Sequence, residues 1–230
     1  MPVIRDFPIK LKKQEVLHRQ GFGGSGKARP EIENLTRELL KILVNRQLLE
    51  PQAAYEIYPI SKINPDSVLL EGGEVIKGSL IPDLFPESVE LVSMVCTIGP
   101  RLEKQVTAYS REREALRGTL LDGIGSAAVD VLAREVCHSI SREVSARGFQ
   151  AGSPVNPGMP GLPITEQTNL LSLAHAEEIG VSLTRSGIMI PRKSTSVIIA
   201  IGGQMQTWSQ ADICRRCNLS EDCPYTVLKR

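Results

Sequence analysis

The chain has 230 residues and a formal net charge of +1, from 27 lysines and arginines against 26 aspartates and glutamates. That length encloses a core without disulfide or metal staples, and a 41% hydrophobic share with 19 glycines excludes wholesale disorder. Near neutrality removes any general attraction to nucleic acid, and four tyrosines, four phenylalanines and one tryptophan leave few rings for base stacking. No apolar run approaches the roughly 18 residues of a membrane span, and residues 1–13 lack the apolar core of a signal peptide. A soluble cytoplasmic protein is expected, with neither nucleic acid nor membrane as partner.

Pro30 begins a predicted helix over residues 30–49, with Ile32, Leu35, Leu39 and Ile42 at three- and four-residue spacing and Pro51 ending it. Residues 53–60 read as a strand, and residues 67–70 and 74–77 flank Gly72-Gly73 as a hairpin. Residues 82–86 form a loop, and residues 91–98, almost wholly apolar, form a buried strand. From 101 to 147 the pattern is helical. Leu116, Leu120, Ile124, Ala128, Leu132, Val136, Ile140 and Val144 recur every four residues, with Ala127 and Val131 widening the stripe. Glycine is costly inside a helix, so a break is expected near Gly118, and a close approach by another backbone or a ligand near Gly125. Residues 151–163 are a loop, 165–179 a helix stopped by Gly180, and 181–183 and 196–201 strands. This mixture, without regular βα alternation, predicts α+β architecture: an antiparallel sheet with flanking helices. Three portions are expected: an N-terminal helix and hairpin portion over 1–89 packed on the main domain, a core domain over 90–205, and a cysteine-bearing tail over 206–230.

Gly21-Phe22-Gly23-Gly24-Ser25-Gly26-Lys27 fits most of a phosphate-loop pattern, but Ala28 stands where the magnesium-binding hydroxyl belongs and no apolar strand precedes it. It reads as a glycine loop without nucleotide. His18, His138 and His175 are isolated, and no Ser-His-Asp arrangement or H-E-x-x-H run is present. Cys214, Cys217 and Cys223 follow C-x2-C-x5-C. Thiolates at that spacing turn onto one metal, leaving a fourth position for Cys96, Cys137, His138 or an exchangeable ligand; the alternative is three free thiols in a tail. Arg215 and Arg216 between the first pair favour the thiolate form. Iron–sulfur is the first choice of metal centre and zinc the second.

Asp122 and Asp130, eight apart, share a helix face beside small residues, where a cationic ligand could be received; the alternative is two solvated charges. Asn156-Pro157-Gly158-Met159-Pro160-Gly161-Leu162-Pro163 is the most unusual loop. Prolines restrict it, glycines admit a ligand to the backbone, and it runs into a helix N-terminus that favours an anion; the alternative is a rigid connector. A small-molecule site is therefore expected between Asn156, Gly158, Met159, Pro160 and Gly161 on the loop and Asp122 and Asp130 on the helix.

Gly158-Met159-Pro160-Gly161-Leu162-Pro163 resembles the G-Y-P-x-x-P loop of the activation domain of cobalamin-dependent methionine synthase. The run from Thr184 to Ser194, with Ser186, Met189 and Pro191, is similar to the T-x-S-x-x-M-x-P-x-x-S stretch that follows in that domain. The match runs from about Leu91 onward, and the N-terminal portion and tail look like those of short stand-alone relatives. The resemblance implies a C-shaped α+β domain that binds S-adenosylmethionine and docks on a corrinoid-binding protein or domain carrying the cobalamin. Such a domain supports reduction of inert cob(II)alamin by an electron donor and its methylation from S-adenosylmethionine, with the chemistry belonging largely to the cofactors. Pro154 stands where the family has an arginine four residues before the loop glycine, and Met159 replaces the loop tyrosine. Proline cannot make the arginine's pairing with a ligand carboxylate, so weaker binding is expected.

Three functional readings follow. The first is an accessory or reactivation protein for corrinoid-dependent methyl transfer, acting on a corrinoid protein or a corrinoid methyltransferase. The second is a docking module of such a system without the ligand. The third is a small iron–sulfur or zinc electron-transfer protein. None requires a catalytic triad or acid–base pair.

Overall fold

The computed structural model of the chain describes residues 3–5, 7–17, 19–20, 29–79, 86–217, 220–221, 226 and 228. The glycine loop 21–28, His18 and Cys223 lie outside the described residues, as does most of the 82–86 loop. The elements in order are β1 (Val3–Arg5), α1 (Lys13–Leu17), α2 (Pro30–Asn45), β2 (Gln52–Asn64), β3 (Ser67–Leu70), β4 (Val75–Lys77), β5 (Ser88–Thr97), α3 (Arg101–Arg111) and α4 (Ala115–Ala146). They continue with β6 (Gln150–Ala151), α5 (Gln167–Leu173), β7 (Ser182–Leu183), β8 (Met189–Ile190), β9 (Ser194–Gly202) and α6 (Gln210–Arg216).

The main sheet runs β4-β3-β2-β5-β9-β6, with β1 also on β2, and every pairing is antiparallel. The apolar runs at 91–98 and 196–201 pair directly, Val92 opposite Ile199 and Met94 opposite Val197. The fold class is thus α+β, as the sequence predicts. Residues 52–59 of β2 pair with β5 along its other edge, so the N-terminal stretch belongs to the same sheet.

Alternation along the strands gives the sheet two apolar faces. Val92, Met94 and Cys96 of β5, with Val197, Ile199 and Ile201 of β9, lie under α2, α3 and α4. Leu91, Ile198 and Ala200 face the other way, onto Leu162, Leu170 and Leu173. The four-residue stripe of α4 is buried from Leu120 to Val144, while Leu116, in the first turn, is exposed. No helix among the described residues is long and apolar enough to cross a membrane.

The structure departs from the sequence pattern at three places. The long helical region breaks at 112–114, not at Gly118, with Arg113 in the left-handed region (φ 62°). Gly118 lies inside α4, where an added Cβ would stand 3.5 Å from the Val106 carbonyl oxygen of α3. The segment 165–179 is not one helix. It consists of a 3-10 turn at Ile164–Glu166, the short α5, and a second 3-10 turn at Ala176–Ile179, with His175 left-handed (φ 51°) at the joint. The protein neighbours pressing on Gly125 are side chains and not another backbone: an added Cβ would lie 2.7 Å from Leu102 Cδ2 and 3.3 Å from Lys193 Cε.

Candidate functional site

The glycine–proline loop is built against the outer edge of β9. Val155 forms a bridge with Ile198, exchanging both backbone hydrogen bonds. The side-chain amide of Asn156 then donates to Thr195 Oγ1 at 3.0 Å and to the Ser196 carbonyl at 2.9 Å. Gly158 and Gly161 take positive φ (90° and 85°), which glycine adopts without strain. The N–H groups of Gly158, Met159 and Leu162 donate to the carbonyls of Leu162, Asn156 and Met159, so the loop closes on itself. Leu162 is buried with Leu170, and Met159 packs on the same cluster.

The helix end after the loop differs from the expected anion site. Glu166 occupies its first turn, only 5% exposed, and accepts from Asn169 Nδ2 at 2.9 Å. A carboxylate of the chain therefore already sits at this positive end. Gln167 Nε2 donates to the Gly187 carbonyl at 3.1 Å and links α5 to the β7–β8 hairpin. The segments carrying the two motif stretches, 158–163 and 184–194, are thus tied at two points beside them: Asn156, two residues before Gly158, bonds Thr195, just after Ser194, and Gln167, four residues after Pro163, bonds Gly187.

Asp122 and Asp130 are on α4, which stacks on the other face of the sheet from Leu162. The chain's own cations serve both. Lys193, just ahead of β9, has a side chain only 14% exposed, and its Nζ donates to Asp122 Oδ2 at 2.9 Å and Ser126 Oγ at 3.0 Å. The Lys193 backbone N–H donates to Glu103 Oε1 at 2.8 Å. Asp130 pairs with Arg19 beside α1, and burial pushes its carboxyl above the ordinary range against the pull of that guanidinium. Around it Gln14, Glu15, Arg19, Ala127, Val131 and Arg134 line a cavity of about 380 Å³, in which Arg134 also pairs with Glu15 at 2.8 Å. The structure brings Asn156, Gly158, Met159, Pro160 and Gly161 together on the loop. It brings Asp122 to the stretch leading into β9 through Lys193, and it turns Asp130 toward the N-terminal segment.

Lys193, Glu166 and Gln167 were not singled out from the sequence. Only the three-residue spacing of Glu166 and Asn169 could have signalled the buried carboxylate.

Cys214 is buried in α6 and Cys217 half-buried just after it, with the Cys217 N–H donating to the Cys214 carbonyl at 3.2 Å. Ser209 caps this helix and shares hydrogen bonds with Asp212, which hold the Asp212 carboxyl down at about 2. The two flanking arginines are engaged elsewhere, Arg215 with Asp212 and Arg216 over the Trp208 ring at 4.3 Å. Cys96 and Cys137 lie in the core between β5 and α4; burial raises both thiols, Cys137 to about 11. Among the described residues no three His, Cys, Asp or Glu side chains gather as a metal requires. His138 is exposed on α4, and His175 forms the left-handed joint described above.

Among solved structures, the chain is similar to the MetH reactivation domain crystallised with AdoHcy: TM-score 0.66 and 13% identity, covering 86% of this chain and 77% of that one. No protein-family model and no curated protein matches the sequence. The likeness shows the fold, that of the MetH reactivation domain.

Proposed function

We propose that the chain is an accessory or reactivation protein for corrinoid-dependent methyl transfer. It would act on a corrinoid protein and bind S-adenosylmethionine at the loop 156–161 where this meets the start of β9. The observation that carries this reading is the contact of Asn156 with Thr195 and Ser196. It joins the residues that immediately flank the two sequence stretches that resemble the methionine synthase activation domain, in a chain with the fold of a domain crystallised with AdoHcy. Asp122 is the nearer of the two helix carboxylates to that stretch, through Lys193. Asp130, turned toward Arg19, would act only if the N-terminal segment moved away.

The ligand is held without the arginine that Pro154 replaces. One charge-assisted hydrogen bond is worth about 1.5–3 kcal/mol, so affinity falls roughly tenfold to a hundredfold. Calorimetric titration with S-adenosylmethionine and AdoHcy, run beside the MetH reactivation domain, tests this. Binding weaker by that factor and reduced further in Asn156→Ala is expected. Affinity equal to that domain's contradicts the role given to the missing arginine, and no binding leaves the ligand-free docking reading in its place.

The tail adds a second element. Cys214 and Cys217 lie within one helical turn, and with Cys223 they would hold an iron–sulfur cluster, or zinc in second place. A cluster there would pass single electrons to a corrinoid; zinc would pin the tail.

A further inference from the structure

We infer that the β7–β8 hairpin, with Ile164 beside it, is the face that receives the corrinoid carrier protein, and that the carrier's contact surface is apolar with carboxylates at its rim. This rests on the corrinoid reading above. Met189 turns inward onto the core cluster of Val95, Leu171 and Ile179. Alternation along β8 then turns Ile188 and Ile190 outward, and they are 53% and 50% exposed. Ile164, 58% exposed, stands one turn before Gln167, whose amide is bonded to Gly187 at the hairpin tip. Two exposed isoleucines on one face of the hairpin, with a third one turn before the residue bonded to its tip, are more than scattered surface apolar residues.

The tip is held in one shape. The Thr184 N–H donates to the Ile188 carbonyl at 2.9 Å and the Ile188 N–H to Thr184 Oγ1 at 3.0 Å. The Gly187 N–H closes the turn on the Thr184 carbonyl at 3.0 Å. A surface already ordered loses little conformational freedom when a partner seats on it.

Charge selects the partner. Residues 184–193 carry Arg185, Arg192 and Lys193 and no acidic residue. Lys193 is taken up by Asp122, while Arg185 and Arg192 are exposed and make no ion pair among the described residues. A second copy of the chain would oppose these arginines with the same cations. A lipid surface is disfavoured because residues 156–195 contain no tryptophan, tyrosine or phenylalanine to anchor at an interface. Carboxylates on a carrier protein complement both guanidiniums.

The test is binding of a purified, cobalamin-loaded corrinoid protein from the same organism, measured at low and high salt. The variants are the pair Ile188→Ser with Ile190→Ser, the pair Arg185→Glu with Arg192→Glu, and Val44→Ser, an exposed residue on α2, as control. All change exposed side chains, and unchanged melting temperatures confirm folding. Each pair is expected to weaken binding by about tenfold or more, with the control unaffected and the salt dependence reduced in the arginine pair. Wild-type affinity in both pairs overturns the surface while the corrinoid reading stands. A wild-type chain that binds no corrinoid protein removes both. Binding instead to phosphatidylserine vesicles, lost in the isoleucine pair, makes the hairpin a membrane surface and overturns the proposal.

Discussion

Asn156 is tied to Thr195 across the edge of β9: its amide Nδ2 lies 3.0 Å from Thr195 Oγ1 and 2.9 Å from the Ser196 carbonyl. Both bonds are neutral and partly buried, and each contributes about 1 kcal/mol net. Asn156→Ala should lower stability by about 1–2 kcal/mol, read from the midpoint of urea unfolding. Asn156→Asp should be worse, because a carboxylate would face the Ser196 carbonyl where a donor is needed. Equal midpoints for the two variants would mean that the side chain does not hold the loop.

The glycines of α4 give a contrast within one helix. At Gly118 an added Cβ has ordinary contacts, the nearest at 3.5 Å, whereas at Gly125 it would meet Leu102 Cδ2 at 2.7 Å in the buried core. Alanine is the better helix former by about 1 kcal/mol, so Gly118→Ala should raise stability by up to that amount. Gly125→Ala should lower it by about 1–3 kcal/mol through overpacking. Thermal unfolding of the two variants decides; shifts of the same sign would contradict the packing.

How far the fold could be read from the sequence follows from the same residues. The apolar runs of β5 and β9 and the four-residue stripe of α4 were legible because burial on both faces, or along one stripe, writes itself as hydrophobic pattern. The joints were not. Gln47, Arg113 and His175 take left-handed backbone after helices α2, α3 and α5, a task usually marked by glycine. The glycine that was visible, Gly118, serves instead the close packing of α3 on α4. In the candidate site, the loop was legible from its prolines and glycines. The neutralisation of Asp122 by Lys193 was not, since 71 residues separate them and no sequence pattern links the two.

Thiol chemistry separates the cysteines. Burial holds the Cys137 thiol at about 11 and raises that of Cys96 as well. A thiol raised in this way stays protonated through neutral pH and forms thiolate only in alkali, so alkylation near pH 8 should be slow at Cys137 and slower at fully buried Cys96. Cys217, half-buried at the end of α6, should react first. Mass spectrometry of peptides after a short iodoacetamide pulse gives the order. Early labelling of Cys96 would mean that the β5–α4 core opens readily.

Trp208, the chain's one tryptophan, reports on the tail. Trp208 precedes α6, its backbone N–H donates to Ser153 Oγ at 2.5 Å, and Arg216 stacks on its ring at 4.3 Å. Arg216 lies between Cys214 and Cys217, so gathering these thiolates with Cys223 around a metal must reorder the turn that carries Arg216 and change the ring's surroundings. Adding zinc, or rebuilding an iron–sulfur cluster under reducing conditions without oxygen, should therefore shift Trp208 fluorescence in step with bound metal. The shift should fade as pH falls, because protons compete for the thiolates. The Asp212 cap should survive most of that descent. Its folded carboxyl is held at about 2, below the ordinary 3.8, so its contribution is complete above that ordinary value and is lost only as pH falls toward 2. A fluorescence change lost near pH 5–6 with the helix intact would separate metal release from unfolding. Cys217→Ala should abolish both the change and the bound metal, and metal content unaltered in that variant would end the assignment.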